Sequence, residues 1–284
     1  MALQDLLVHL DSTTGSLQHL RLAADLARRN DSCLTALYMP EWSETQLAHR
    51  RTAELAGRPL ADVEAFDSHV AASLALSGDE LRAELEGLGA RLGLQVEWRV
   101  VAGEPGDVLL QQLRHADLCI LDVNLPTASG GIATRLCEEL LFSAGRPVLL
   151  LPKTSGSATL GAHVAIGWNG SRSASRALND ALPILEHCDR TTLIAINPGE
   201  FSGAQTLPGA LKHLGRHGVT TECIEIDDVA SAAVADTLQQ RAVAIGADLL
   251  VAGAHGHNWP RELLLGSVTR DLLAHLQLPL LTAH

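Results

Sequence analysis

The sequence predicts an α/β protein with two tandem domains, each built on a five-stranded parallel sheet flanked by helices. Short apolar runs alternate with amphipathic segments that have helical spacing. This alternation occurs twice, once on each side of a small polar segment. Strands that alternate with helices need crossover connections, and crossovers favour parallel strands.

The first half of the chain contains five predicted strands. They are the apolar runs at 6–10, 33–38, 96–101, 118–123 and 147–151. Helical spacing of leucine and alanine predicts the helices between them, most clearly through Leu81, Leu85, Leu88 and Leu92. Further helices are expected after Gly15, from 103 to 115 and from 134 to 142. The polar stretch 40–67 is interpreted as a partly helical excursion.

The second half repeats this plan after a small polar linker. Its strands are expected at 164–167, 192–196, 220–226, 249–252 and 279–282. Its helices are expected at 171–185, 207–217 and 229–245 and after Gly266. The predicted organisation is a domain at 1–152, a linker at 153–160 and a second domain at 161–284. Such a repeat indicates a duplicated domain.

A flavodoxin-like or Rossmann-like sheet of order 3-2-1-4-5 places strands 1 and 4 side by side, and ligands bind at their carboxyl ends. In the second half this order brings the loop that begins at Gly167 next to the loop that begins at Gly253. The late strands, 147–151 and 279–282, would be apolar sheet edges, and such edges favour pairing. We therefore expect the halves to pack as an internal pseudo-dimer.

The loop after the fourth strand of the second half has the spacing of a phosphate cradle, G-x2-G-x9-G-S. The motif residues are Gly253, Gly256, Gly266 and Ser267. Glycine lets a ligand approach the backbone closely, and the free amides at a helix start attract anions. An apolar strand ends at Ala252 and an apolar helix follows from Val268. Glycines that only make turns remain an alternative interpretation.

This motif resembles the ATP-binding signature of the universal stress protein family, and the resemblance covers nearly the whole chain in two copies. It implies ATP as the ligand, with Mg2+ arriving on the phosphates. In that family an Asp usually stands at the Asn169 position and contacts the nucleoside, while Ile196 matches a position whose backbone meets the adenine. The expected site comprises Gly167, Trp168, Asn169, Ile196, Ala252, Gly253, Gly256, Gly266, Ser267 and Val268.

The first half keeps the scaffold but not the motif. An ungapped alignment that sets Pro147 against Pro279 also sets Asp117 against Leu249. It puts other residues at the four motif positions, namely Leu121, Asn124, Thr134 and Arg135. Asp11 is retained at the position of Asn169. We therefore expect one nucleotide per chain.

Three functions are compatible with this pattern. The first is a regulatory or sensing module of the stress response that binds ATP and acts on an unidentified protein partner. The second is a slow ATP hydrolase, although no nucleophile–base set can be assembled and no catalytic residue is assigned. The third is a carrier of a small apolar ligand in the first half, lined by Leu121, Leu125 and Ile132.

Composition excludes several other classes of protein. A net charge of −12 and 3% aromatic residues argue against nucleic acid as a partner. The longest apolar runs are too short for a membrane span, and no basic leader begins the chain. Five cysteines without a CxxC pair suggest a cytoplasmic protein. His255 and His257 lack other ligands nearby, so no metal site is expected. Further dimerisation stays open.

Overall fold

The computed structural model describes residues 2–13, 15–39, 78–101, 105–122, 140–141, 143, 145–152, 160–200, 203–254 and 267–283. Ten strands in these residues form one sheet. They are β1 Asp5–Leu10, β2 Cys33–Tyr38, β3 Val96–Val100, β4 Leu118–Asp122, β5 Val148–Leu151, β6 His163–Gly167, β7 Arg190–Ile196, β8 Thr221–Ile226, β9 Leu249–Gly253 and β10 Leu280–Ala283. Every predicted strand is confirmed to within two residues.

The α-helices with bounds in these residues follow the predicted alternation. They are α1 Gly15–Asn30, α2 Asp79–Leu92, α3 Pro105–Leu113, α4 Arg172–Leu185, α5 Gly203–Arg216, α6 Val234–Ala244 and α7 Ser267–Ala274. The predicted excursion at 40–67 lies outside the described residues. So does most of the predicted helix at 134–142, and of the predicted linker only Leu160 is described.

The helix predicted at 229–245 begins later than the sequence suggested. A 3-10 turn occupies Ser231–Ala233, and α6 begins at Val234. Asp228, the residue before the predicted start, has a left-handed φ of 59°. The backbone N–H and C=O of Val229 are bonded to the side chain of Asn197, at 3.0 and 2.6 Å. These bonds to a residue 32 positions earlier in the chain replace the first turn of the predicted helix.

The sheet joins the two halves edge to edge. Its order is β3-β2-β1-β4-β5-β10-β9-β6-β7-β8, so each half has the predicted order 3-2-1-4-5. Neighbouring strands run parallel within each half, whereas β5 and β10 pair antiparallel. In that pairing Leu150 faces Leu280 and Leu149 faces Leu281. The two late strands thus form the predicted internal pseudo-dimer.

Helices cover both faces of the sheet, and each face has its own core. One core lies beneath α1, α2, α4 and α5, and the other lies beneath α3, α6 and α7. Both cores contain residues from both halves, and the inner strands are buried on both faces, as parallel sheets require. In the described part of the chain, no helix combines the length and the apolarity that crossing a membrane demands.

Two aspartates hold equivalent positions in the halves. The Asp117 carboxylate accepts hydrogen bonds from the backbone N–H groups of Gln4 and Asp5, at 2.8 and 3.1 Å. The Asp248 carboxylate accepts equivalent bonds from the N–H groups of residues 161–163, each at 3.0 Å. Both carboxylates fasten the start of the first strand of their half to the start of its fourth.

This equivalence corrects the ungapped alignment by one residue. Asp117 corresponds to Asp248 and not to Leu249, because Leu6 pairs with Leu118 where Val164 pairs with Leu249. The alignment holds for β5 and β10, so the connection between the fourth and fifth strands is one residue longer in the second half. The structural counterpart of Gly253 is therefore Asp122 and not Leu121.

The β5–β10 pairing predicts that the halves recognise each other as separate polypeptides. Fragments 1–152 and 161–284 should form a 1:1 complex when mixed, because each alone exposes a strand edge whose leucines are fully buried in the intact chain. Sedimentation velocity of the separate and mixed fragments measures this. Val243→Lys, at an exposed position of α6, is the matched control and should leave association unchanged. Two fragments that stay monomeric after mixing would contradict the prediction.

Candidate functional site

Three strand ends of the second half converge at one edge of the sheet. Gly167 ends β6, Ile196 ends β7 and Gly253 ends β9. Since β6 pairs in parallel with both β7 and β9, the carboxyl ends of all three strands lie side by side. The adjacency of the first and fourth strands that the strand order predicted is confirmed. This is the place where strand order reverses and where α/β sheets bind ligands.

Trp168 is anchored in the core of its own half. Its backbone N–H donates to the Ile194 carbonyl at 2.9 Å, and its indole Nε1–H donates to Thr206 Oγ1 on α5 at 3.2 Å. Only 8% of the residue is exposed. The ring therefore helps to fix the wall between β6 and α5.

Asn169 shapes the turn into α4. Its side-chain oxygen accepts from the Ser171 N–H at 3.0 Å, and Ser171 Oγ in turn caps the helix by accepting from the Ala174 N–H at 3.1 Å. Gly170 between them has a φ of 72°, where glycine is the favoured residue. With its oxygen engaged in the turn, half-buried Asn169 can offer its NH2 group to a ligand.

Gly253 allows β9 to touch the first turn of α4. A Cβ at this position would lie 2.4 Å from Ala174 N and 2.5 Å from the carbonyl carbon of Ser173, which are backbone atoms. A Cβ at Gly167 would meet the movable side chain of Leu238, whose nearest atom, Cδ2, would lie 2.8 Å away. The absence of a side chain at Gly253 is thus already required by packing, apart from any ligand.

Thr269, which the sequence did not single out, ties the start of α7 to the end of β9. Its buried hydroxyl donates to the Ala254 carbonyl at 2.9 Å, and the Ala254 N–H donates to the Ala283 carbonyl at 3.0 Å. The two ends of the segment 255–266 are held together in this way. In the sequence, this contact was indicated only by the presence of a threonine two residues after Ser267.

Asn197 is a second residue that sequence reasoning missed. It follows Ile196 directly, has a left-handed φ of 46° and is buried. Its side chain holds both backbone groups of Val229, so it fixes the end of β7 to the segment before α6. The signal was the run Asn197-Pro198-Gly199, three residue types that favour turns.

The remaining predicted site residues divide into two groups. Ile196 and Ala252 are strand residues that are less than a tenth exposed, so each offers mainly backbone. Ser267 is the first residue of α7, and half-buried Val268 packs against the core. Gly256, Gly266, His255 and His257 lie outside the described residues. Among the residues that are described, no group of three His, Cys, Asp or Glu side chains could hold a metal ion.

In the first half, four polar side chains fill the corresponding place. We call His9, Asp11, His19 and Asp122 the buried polar cluster; their exposures are 3, 4, 2 and 8%. His19 Nδ1 lies 4.0 Å from Asp122 Oδ2. Leu121, predicted to line an apolar ligand pocket, belongs instead to the core on the opposite face of the sheet, because alternate strand residues face opposite ways.

The other two proposed lining residues of that pocket, Leu125 and Ile132, lie outside the described residues, as do Asn124, Thr134 and Arg135. At the ends of β1 and β4, next to Leu121, the described side chains of Asp11 and Asp122 are polar. This counts against an apolar carrier function there.

Asp11 forms the same kind of turn as Asn169. Its Oδ1 accepts from the Thr13 N–H at 2.9 Å and from Ser16 Oγ at 2.7 Å. Burial by itself raises the pKa of Asp11, but the hydrogen bonds from Thr13 and Ser16 outweigh it and hold the pKa below its ordinary value. The retained Asp11 therefore has a structural role at the start of α1.

Comparison with known proteins supports the sequence resemblance. The profile described as the universal stress protein family matches residues 163–284. A universal stress protein from Archaeoglobus fulgidus superposes with a TM-score of 0.69 at 14% identity, covering 99% of this chain and 97% of that chain. A putative universal stress protein from Pseudomonas aeruginosa gives 0.57 at 16% identity, covering 99% and 93%.

A universal stress protein solved in complex with cAMP is 21% identical, with a TM-score of 0.36, and covers 43% of this chain and 96% of that chain. No curated protein sequence matches the chain. The two full-length superpositions show that the whole chain shares one tandem fold with those proteins.

The close contact at Gly253 predicts that adding a single methyl group there destabilises the protein. Gly253→Ala should lower the free energy of unfolding by about 1–3 kcal/mol, because the Cβ meets backbone atoms that cannot rotate away. Urea denaturation followed by circular dichroism measures this. Gly209→Ala in α5, where a Cβ meets nothing within 4 Å, is the matched control and should be neutral or stabilising. Equal effects of the two substitutions would refute the packing argument.

Proposed function

We propose that this chain, whose residues 163–284 match the universal stress protein family, acts as a member of that family and binds ATP at the carboxyl ends of β6, β7 and β9. The observation that carries the proposal is the convergence of these three strand ends with the first turn of α7, fastened by Thr269. The nucleotide would act as a regulatory signal in a stress response.

The phosphate end of the ligand is assigned to the start of α7. The first amides of a helix have no partner within the helix and attract anions. Ser267 begins this helix, and Thr269 keeps its first turn at a fixed place beside Ala254. Amides held in this way bind phosphate without first having to be ordered. Mg2+ would accompany the phosphates.

The nucleoside end is assigned to the region between β6 and β7. The last register pair of these strands is Gly167 with Ile194, so β7 extends two residues further, to Ile196, without β6 beside it. That uncovered edge offers backbone groups to an adenine ring. Asn169, at the end of the adjacent loop, would present amide hydrogens to the nucleoside where a carboxylate would present only acceptors.

The proposed mechanism is binding that changes a surface, with no turnover assigned. A ligand that binds the folded state stabilises it in proportion to its occupancy. Because the proposed phosphate site lies at the junction of β9, α7 and the segment between them, occupancy would bias the arrangement of that segment. An unidentified protein partner would then distinguish the bound from the free form.

The first test substitutes two glycines of the predicted phosphate cradle. Gly256→Val or Gly266→Val should weaken ATP binding at least tenfold, about 1.4 kcal/mol, because a branched side chain blocks close approach of phosphate to the backbone. Isothermal titration calorimetry measures the affinity, with Gly209→Ala as a control outside the site. A folded Gly256→Val/Gly266→Val double variant that binds ATP normally would disprove the site assignment.

The second test concerns stoichiometry. We expect one ATP per chain, because the structural counterpart of Gly253 in the first half is Asp122, whose buried carboxylate would repel phosphate. Calorimetry on the full chain should return a ratio near one, and Gly266→Val alone should abolish the signal. A ratio near two, or a site that binds ATP with unchanged affinity in the variant, would show that the first half also holds nucleotide.

A further inference from the structure

We propose that the buried polar cluster makes the first half acid-sensitive, so that acidification loosens the first turns of α1 from the ends of β1 and β4 while the second half stays closed. The inference concerns residues far from the proposed nucleotide site and does not depend on nucleotide binding. It rests on the position, burial and charge of four side chains.

The cluster joins three elements of the first half. His9 lies on β1 and Asp11 directly follows that strand, His19 lies on α1, and Asp122 ends β4. Asp122 is close to the start of α1, since a Cβ on Gly15 would lie 3.6 Å from His19 Cε1 and 3.9 Å from Asp122 Oδ2. A charge on His19 is placed between α1 and the sheet, away from water, whereas His9, which alternates with Val8 and Leu10, lies on the face of the sheet opposite α1.

The histidines are the groups that respond. Burial is the largest influence on His9 and lowers its pKa to about 4. The negative charges of Asp11 and Asp122 act to raise this pKa, and the charge of His19 lowers it slightly further. Burial also lowers the pKa of His19, although Asp122, Asp11 and a hydrogen bond to the Pro152 backbone act the other way. Both rings are therefore neutral in the closed arrangement near neutral pH.

The sign of the effect follows from proton linkage. A histidine exposed to water takes up its proton near pH 6.5. The closed cluster resists that proton until about pH 4 at His9. As pH falls between these values the opened form binds a proton that the closed form excludes, so stability present at higher pH is progressively lost. Asp11 stays ionised through this window because its pKa is below the ordinary value.

The second half supplies an internal control. The residues that occupy the cluster positions there are Gly167, Asn169, Ala177 and Gly253. None of these side chains titrates, and β9 contacts α4 directly through backbone atoms at Gly253. The two halves share a fold but differ in whether this contact carries ionisable groups. An acid response that arises in the cluster must therefore appear in α1 and be absent from α4.

Hydrogen–deuterium exchange of the full chain, read by mass spectrometry and corrected for intrinsic exchange rates, tests this directly. Between pH 6.5 and pH 4.5 we expect opening of peptides from 5–30 to increase tenfold or more, as the proton affinities of buried and free histidine require. Peptides from 163–185 should change less than twofold. Parallel loss of protection in both halves would overturn the proposal.

Substitutions identify the responsible groups. A His9→Gln/His19→Gln double variant keeps polar side chains that cannot gain a proton, so the pH dependence at 5–30 should disappear. If that variant is unfolded, His19→Ala, which copies Ala177, should reduce the response at least twofold. Histidine proton NMR of the unsubstituted chain is a further readout. A pH response that persists in a folded double variant, or a His9 that titrates near pH 6.5, would overturn the proposal.

Discussion

The antiparallel pairing of β5 with β10 is the constraint on which the rest of the structure depends. These two strands would be exposed apolar edges in isolated halves, and their pairing converts two five-stranded sheets into one sheet with two continuous cores. Because this single junction is antiparallel, the strands of one half run opposite to those of the other. The carboxyl ends of the strands, where strand order reverses, therefore point in opposite directions in the two halves. The site at the strand ends of one half is therefore separate from the corresponding site of the other half.

At those two edges the same contact between strand and helix is built in different ways. In the second half the strand contributes no side chain, and Gly253 lets its backbone rest on Ser173 and Ala174. In the first half the helix contributes the glycine, Gly15, while the strand contributes the Asp122 carboxylate. The fold therefore accepts a side chain at this contact either on the helix, with glycine on the strand, or on the strand, with glycine on the helix. The second arrangement exchanges a close, uncharged contact for one that contains ionisable groups.

The positions of the strands were predicted from apolar runs that are visible locally, whereas the strand order came from the flavodoxin-like fold and the internal pseudo-dimer from the apolar late strands and the family resemblance. The late start of α6 was missed, since it depends on the bonds between Asn197 and Val229, 32 residues apart. The one-residue slip at β4 was missed because a longer connection leaves no mark on the spacing of either strand. The bond of Thr269 to Ala254 and the approach of His19 to Asp122 were also missed. Both contacts arise only when elements that are separate in the sequence meet in the fold. Gly167, Ile196 and Gly253 lie at neighbouring strand ends because the strand order brings those ends together, and their contact with a ligand stays a prediction.

The central place of β10 has a consequence for biosynthesis. Of the strands described, β10 is translated last, yet it lies in the middle of the finished sheet between β5 and β9. A ribosome therefore releases the complete first half long before the strand that covers β5 exists, and the apolar edge of β5 stays open throughout that interval. Until β10 emerges, that edge is open to pairing with any other exposed strand. Neighbouring chains on one polysome also have time to exchange strands before each finds its own β10.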